Sequence, residues 1–326
     1  MMANLNTQNS PQSPANAARK IDIEISEVGP RDGLQSIKTI MPLEAKKAWV
    51  KAEAEAGVPE IEVGSFVPAS VIPQLADTAE LVKYALTIPN LTVAVLVPNA
   101  RGAQNALAAG AHKLSIPLSV SETHSLKNLK RSHEQVLDEV KLIRSQIDAL
   151  PADKRPKFEA GLSTAFGCTI EGIVPEDKVV EMAVRLKEAG VDEVGLSDTT
   201  GYGNPAQLRR LAKGIWHHCG REMLDGVHLH NTRGQGLAMA LAAIDLGMTT
   251  VDSSLGGIGG CPFAPGASGN IVTEDLVFML EAMGLHTGID LEKLLAVREL
   301  VQAALPDEPM YGFTPSAGLP KGFSPA

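Results

Sequence analysis

Residues 175–199 read PEDKVVEMAVRLKEAGVDEVGLSDT, and the change of period inside this stretch decides the fold. From Pro175 to Gly190, apolar residues recur at helical spacing (Val179, Met182, Ala183, Leu186), and Gly190 stands where a helix would end in the left-handed conformation. A short apolar run, 193–199, follows and ends in Ser, Asp and Thr, which predicts a buried strand. The same alternation fills most of the chain. Strands are expected at 21–28, 60–66, 91–97, 113–118, 158–165, 193–199, 226–231 and 249–255. Helical segments separate them, as in PLEAKKAWVKAEAEAG (42–57) and GLAMALAAIDLG (236–247), and VTEDLVFMLEAMG (272–284) follows the eighth. Gly57, Gly247 and Gly284 close these helices as Gly190 closes its own. Eight β/α units in roughly 270 residues predict one (β/α)8 TIM barrel rather than two Rossmann halves, since no strand is followed by G-x-G-x-x-G.

The composition is that of a soluble globular protein: 326 residues, 44% hydrophobic and 21% charged. Three cysteines argue against a disulfide framework and for a reducing, cytoplasmic setting. A net charge of −9 speaks against nucleic acid as a partner, and no apolar run is long enough for a membrane span. Residues 1–20 are rich in Asn, Gln, Ser and Pro and read as a disordered arm, with neither a secretory core nor the arginines of a transit peptide. The folded barrel is expected over 21–305. Residues 306–326 are dense in Pro and Gly, incompatible with a helix, and form a loose tail or a strap across the body.

In such a barrel the chemistry sits where strands run out into βα loops. The first strand ends in SEVGPRDGLQ, which is expected to bring Glu27, Arg31, Asp32 and Gln35 to the mouth, although Arg beside Asp is commonly a surface ion pair. Glu62 lies among apolar neighbours near the end of the second strand, where a carboxylate needs a partner. Asp198 precedes a glycine turn and reads equally as a turn residue. His228 and His230 are two apart on one strand, so their side chains share a face, and an inward face makes them a pair of metal ligands rather than two buried histidines. The last βα loop, GIGGCPFAPGASGN (257–270), carries Cys261 and Asn270. An amide oxygen at Asn270, two imidazoles and a carboxylate make a mixed set suited to Mg2+ or Mn2+, and Cys261 is left free for chemistry.

Six stretches, in order, resemble the 3-hydroxy-3-methylglutaryl-CoA lyases of the DRE-TIM metallolyase superfamily: EVGPRDGLQ, EVGSFV, LSDTTGYGNP, HLHNTRGQ, VDSSLGGIGGCPFAPGASGN and TEDLVFMLEAMGLHTGIDL. The likeness runs from about Ile23 to Leu305. It implies that Asp32, His228, His230 and Asn270 hold a divalent cation, that Arg31 is the catalytic arginine and that Cys261 is the active-site cysteine. It further implies supporting roles for Glu62 and Asp198, a substrate lining that includes Gln35 and Ser65, Lys38 near the acyl-CoA, and a homodimer. The chain departs from the better-known lyases at Asn231 (Asp there), Arg233 (Tyr or similar), Gly64 (Thr) and SDTTG (GDTIG), and these departures are expected at or beside the acyl pocket.

The implied reaction is cleavage of the acyl-CoA to acetyl-CoA and acetoacetate. A cation would orient and acidify the 3-hydroxyl, Arg31 would offset charge on the thioester oxygen, and Cys261 would protonate the enolate carbon. The hydroxyl proton would leave through His228 or Asp32, helped by Asp198 or Glu62. A related thioester, such as citramalyl-CoA or a longer-branched 3-hydroxyglutaryl-CoA, is the alternative substrate. A condensing enzyme of the isopropylmalate synthase type would bring a further domain, and a non-catalytic barrel would lack some of the six central residues.

Overall fold

The computed structural model describes residues 20–259 and 269–326. The expected N-terminal arm, apart from Lys20, and Cys261 lie outside them. Eight parallel strands close into one barrel in sequence order: β1 (Glu24–Glu27), β2 (Glu60–Ser65), β3 (Thr92–Leu96), β4 (Lys113–Ser119), β5 (Lys157–Ser163), β6 (Glu193–Asp198), β7 (Leu224–Leu229) and β8 (Thr250–Ser253). Helices α1 (Leu43–Ala56), α2 (Thr78–Ala85), α3 (Ala100–Ala109), α4 (Glu122–Asn128), α5 (His133–Asp148), α6 (Glu176–Ala189), α7 (Pro205–Cys219), α8 (Gly236–Asp245), α9 (Thr273–Ala282) and α10 (Leu291–Ala304) surround it. Among the described residues no helix is long and apolar enough to cross a membrane.

Period-two alternation gives the strands a mainly apolar outer face and a mainly polar inner one. Ile25, Ile61, Val93, Leu114, Phe158 and Val251, one from each of six strands, are fully buried in the core. Inner positions carry charge, and buried charge must be paired. At the floor of the barrel, Lys113 Nζ lies 2.7 Å from Glu159, 3.1 Å from Glu60 and 3.6 Å from Glu193. Ser26 Oγ also donates to Glu60, at 2.8 Å.

β1 starts at Glu24 rather than residue 21, and β7 stops at Leu229 instead of running to Asn231. His230 pairs instead with Asn270 in an isolated antiparallel bridge, a tertiary contact with no signature in local periodicity. The segment after Pro306 also departs from its expectation, because Thr314–Ala317 (α11) forms one helical turn. That turn is nucleated from outside, by the Asp275 carboxylate accepting from the N–H groups of Phe313 and Thr314. Tyr311 N–H reaches Gly256 O at 2.7 Å, and the Phe323 ring lies 5.3 Å from Phe278 of α9.

Candidate metal and acyl-CoA site

β1 ends in a tight π-type turn, Gly29–Gly33, in which Asp32 N–H bonds back to Val28 O at 2.7 Å. The turn aims Arg31 and Asp32 over the open end of the barrel. Arg31 donates Nη1–H to Asp32 Oδ1 at 2.6 Å and Nε–H to Glu62 Oε2, with side chains only 7–12% exposed, so this is a buried clamp and not a surface pair. Glu62 completes its bonding by accepting from Ser115 Oγ at 2.7 Å. Burial weakens the Arg31 charge, but Glu62 and Asp32 outweigh it and hold the guanidinium above its ordinary value. Burial lifts the Glu62 carboxyl, and Arg31 offsets this only in part.

Three ligand atoms converge beside that clamp. His228 Nε2 and His230 Nε2 are 3.2 Å apart and lie 3.9 and 3.8 Å from Asp32 Oδ2. These three residues form the metal-competent cluster found among the described residues, with donor atoms all within 4.8 Å of one another. Asn270 closes the fourth side: its Nδ2–H donates to Asp32 Oδ2 at 2.8 Å, while its buried Oδ1 has no hydrogen-bond partner in the described structure. An orphaned amide oxygen next to two imidazoles and a carboxylate fits a hard or borderline divalent cation. Burial would raise the Asp32 carboxyl, but Arg31, His228, His230 and Asn270 together hold it well below the usual carboxylate range. His230 is pushed down to about 4 by burial and by the neighbouring His228. His228 goes the other way, because its bond to Asp252 and the Asp32 charge overcome burial.

Other expected residues are placed differently. Gln35 donates to Asp32 Oδ1 at 2.6 Å and so belongs to the cluster. Lys38 is exposed just beyond it. Ser65 is buried, its N–H on Thr78 Oγ1 and its Oγ accepting from Val67 N–H. Asp198 is not drawn into the metal cluster; its carboxylate accepts from Tyr202 N–H at 2.9 Å and Gly203 N–H at 3.0 Å, and burial pushes its pKa up to about 6. Glu27 is not at the mouth at all. Next to inward Ser26 it must face outward, where it accepts from the N–H groups of Gly29 and Leu255 and from Thr273 Oγ1.

The departures from the lyase pattern also separate. A Cβ on Gly64 would stand 2.4 Å from Thr78 Oγ1, so this position, next to a register shift in β2, faces α2 rather than an acyl pocket. Asn231 Oδ1 accepts from Gly236 N–H at the start of α8. Arg233 spans two βα loops, with Nη1–H on the carbonyls of Thr200 and Gly201 and its guanidinium 4.6 Å from the Tyr202 ring centre. Sequence reasoning missed Asp252, whose Oδ2 is 3.1 Å from His228 Nδ1. The signal was available in the strand phase, since Asp252 on β8 is directly opposite His228 on β7.

With this geometry in place, comparison with known proteins is decisive at family level: the HMGL-like profile matches residues 22–301. The chain belongs to the HMGL-like family. It is 40% identical over 283 residues to the mitochondrial hydroxymethylglutaryl-CoA lyase of Mus musculus, covering 87% of this chain and 86% of that protein. A hydroxymethylglutaryl-CoA lyase of Bacillus subtilis is 39% identical over 280 residues, covering 86% of this chain and 92% of the relative. Among solved structures of the HMGL-like family, an HMG-CoA lyase from Acinetobacter baumannii in complex with coenzyme A and 3-methylmalate superposes with a TM-score of 0.86 at 36% identity, covering 93% of this chain and 97% of that one.

Proposed function

We propose that the protein is a divalent-cation-dependent carbon–carbon lyase that cleaves (S)-3-hydroxy-3-methylglutaryl-CoA to acetyl-CoA and acetoacetate, a reaction of leucine degradation. The observation that carries this reading is the convergence of Asp32, His228 and His230 beside the buried Arg31 clamp, with the Asn270 oxygen left unpartnered. Mg2+ or Mn2+ held by these four residues would supply Lewis acidity to the substrate's 3-hydroxyl and carboxylate. Arg31, fixed by Glu62 and Asp32, places permanent positive charge where the thioester oxygen gains electrons as the C2–C3 bond breaks. The hydroxyl proton passes to the Asp32 carboxylate, while His228, with Nε2 facing the cluster and Nδ1 on Asp252, would hold the cation beside it. Asp198 and Glu62 are engaged elsewhere, on the β6 turn and on Arg31, and act by holding those parts in place. The enolate carbon of acetyl-CoA then takes its proton from the Cys261 thiol, which balances the proton lost from the hydroxyl. Gln35 and Ser65 belong to the substrate side of this scheme and Lys38 to the CoA side, and family resemblance extends the proposal to a homodimer.

A related 3-hydroxyacyl-CoA, of the citramalyl type, is the second reading. It is favoured by Arg233, a cation on the loop that follows His230, and by the relative bound to coenzyme A and 3-methylmalate. A panel of acyl-CoA thioesters assayed with Mg2+ and a reductant separates the two. Equimolar acetyl-CoA and acetoacetate from HMG-CoA, abolished by a chelator, supports the first. Silence on HMG-CoA with turnover of citramalyl-CoA moves the assignment to the second, and turnover of no thioester overturns both.

A further inference from the structure

We infer that Asp252 is a positioning residue for the metal site: it fixes His228 as the Nδ1–H tautomer, so that Nε2 keeps its lone pair for a cation. Asp252 Oδ2 lies 3.1 Å from His228 Nδ1, on the side of the ring away from the converging Nε2. That other nitrogen is the one that faces His230 Nε2 at 3.2 Å and Asp32 Oδ2 at 3.9 Å. The imidazole thus stands between a carboxylate that can only accept and a cluster that needs a donor of electrons. An ionised carboxylate at Nδ1 requires a hydrogen there, and a neutral ring has only one to give.

The backbone makes the arrangement rigid. Asp252 and His228 are register partners on adjacent parallel strands, and Asp252 is simultaneously the partner of Ser26 on β1. Its neighbours Val251 and Ser253 are fully buried, which pins the strand on either side. Asp252 is not itself a fourth acidic ligand, because it meets the far nitrogen of the ring and stands outside the group of donor atoms that lie within 4.8 Å. His230 offers the contrast. Its Nδ1 is buried without a hydrogen-bond partner among the described residues, and its position comes from the backbone bridge to Asn270 instead. The two histidines are therefore held by different means, one through its ring and one through its main chain.

This inference rests on the proposed metal-dependent function, and its test is chosen so that the two can fail separately. Long-range 1H–15N correlation spectra of the metal-free protein report the tautomer of His228, and titration with Mn2+ alone, followed by the EPR signal of the free ion, reports affinity. At alkaline pH, where the ring is neutral, wild-type His228 is expected as the Nδ1–H form. Asp252→Ala should mix the tautomers and weaken Mn2+ binding about 10- to 100-fold. Asp252→Asn, which can still present a carbonyl oxygen to Nδ1–H, should recover part of the loss. An Nε2–H tautomer in the wild type overturns the inference without any variant being needed. Mn2+ affinity in Asp252→Ala within ~2-fold of wild type, or a tautomer that does not change there, also overturns it while leaving the function standing. Failure of the wild type to bind Mn2+ at all overturns the functional reading along with the inference.

Discussion

Asp198→Asn puts a sign and a size on the energetics of the β6 turn. The carboxyl is 1% exposed, and burial lifts its pKa from 3.8 to about 6 against the pull of the Gly203 and Tyr202 N–H groups. An acid whose folded pKa lies above its unfolded one binds protons more tightly in the native state. Its contribution to stability is complete below about pH 3.8 and is lost as the pH rises through about 6. A shift of this size is worth ~3 kcal/mol across that window. Asn does not titrate, but its amide has a single acceptor oxygen, and one of the two buried N–H groups is left facing Nδ2 at a roughly constant ~1–3 kcal/mol. The stability advantage of wild type over the variant should therefore be greatest in acid and shrink by ~3 kcal/mol by about pH 8. Urea denaturation followed by circular dichroism, with a chelator present, at about pH 4.5, 6 and 8 measures the difference, of which about 2 kcal/mol falls within this range. A gap that stays constant within ~0.5 kcal/mol would refute the argument and mean that the turn N–H groups fully compensate the buried charge.

Three further outcomes are expected. His230→Ala should abolish Mn2+ binding by calorimetry, matching the effect of chelator on the wild type, while urea denaturation of the metal-free protein changes by less than about 2 kcal/mol; unaltered Mn2+ affinity would remove His230 from the ligand set. Arg31→Lys keeps the charge but cannot reach Glu62 and Asp32 together, so kcat should fall about 10²- to 10³-fold with substrate KM changed far less, and full activity would show that charge alone suffices. Cys261→Ala should lower turnover about 10²- to 10⁴-fold and leave Mn2+ affinity intact; near-normal turnover would assign the final protonation to another donor.

Barrel closure was legible in the alternation of helix and strand, and His228 and His230 in their spacing of two residues, whereas Asp32 entered as a ligand only through the family resemblance. Even the C-terminal glycines reported truly, since Gly57 and Gly190 have φ of +103° and +104°. What escaped was tertiary. Glu27 was expected at the mouth because its neighbours in sequence are there, yet the alternation that places Ser26 inward sends Glu27 out among the helices. Asp252 had the inward phase of β8, but its role depends on which residue of β7 is opposite, which strand phase alone does not give. His230 lies past the end of β7 because a bridge to Asn270, forty residues on, replaces strand pairing. The short helix at Thr314–Ala317 in a Pro-rich segment exists because a carboxylate from α9 caps it.

The paired charges at the barrel floor bear on how variants far from the mouth should be interpreted. Lys113 is joined there to Glu60, Glu159 and Glu193, and it also feels Asp252. Asp252 in turn acts on Arg31, Glu62 and His228. Floor and mouth are thus successive members of a single column of fixed charge, enclosed by low-dielectric walls where screening is weak. Distance measured along the barrel axis is a poor guide to independence in such a column. A substitution that adds or removes charge at the base is therefore expected to be felt at the proposed metal site as well, even when every side chain there stays in place.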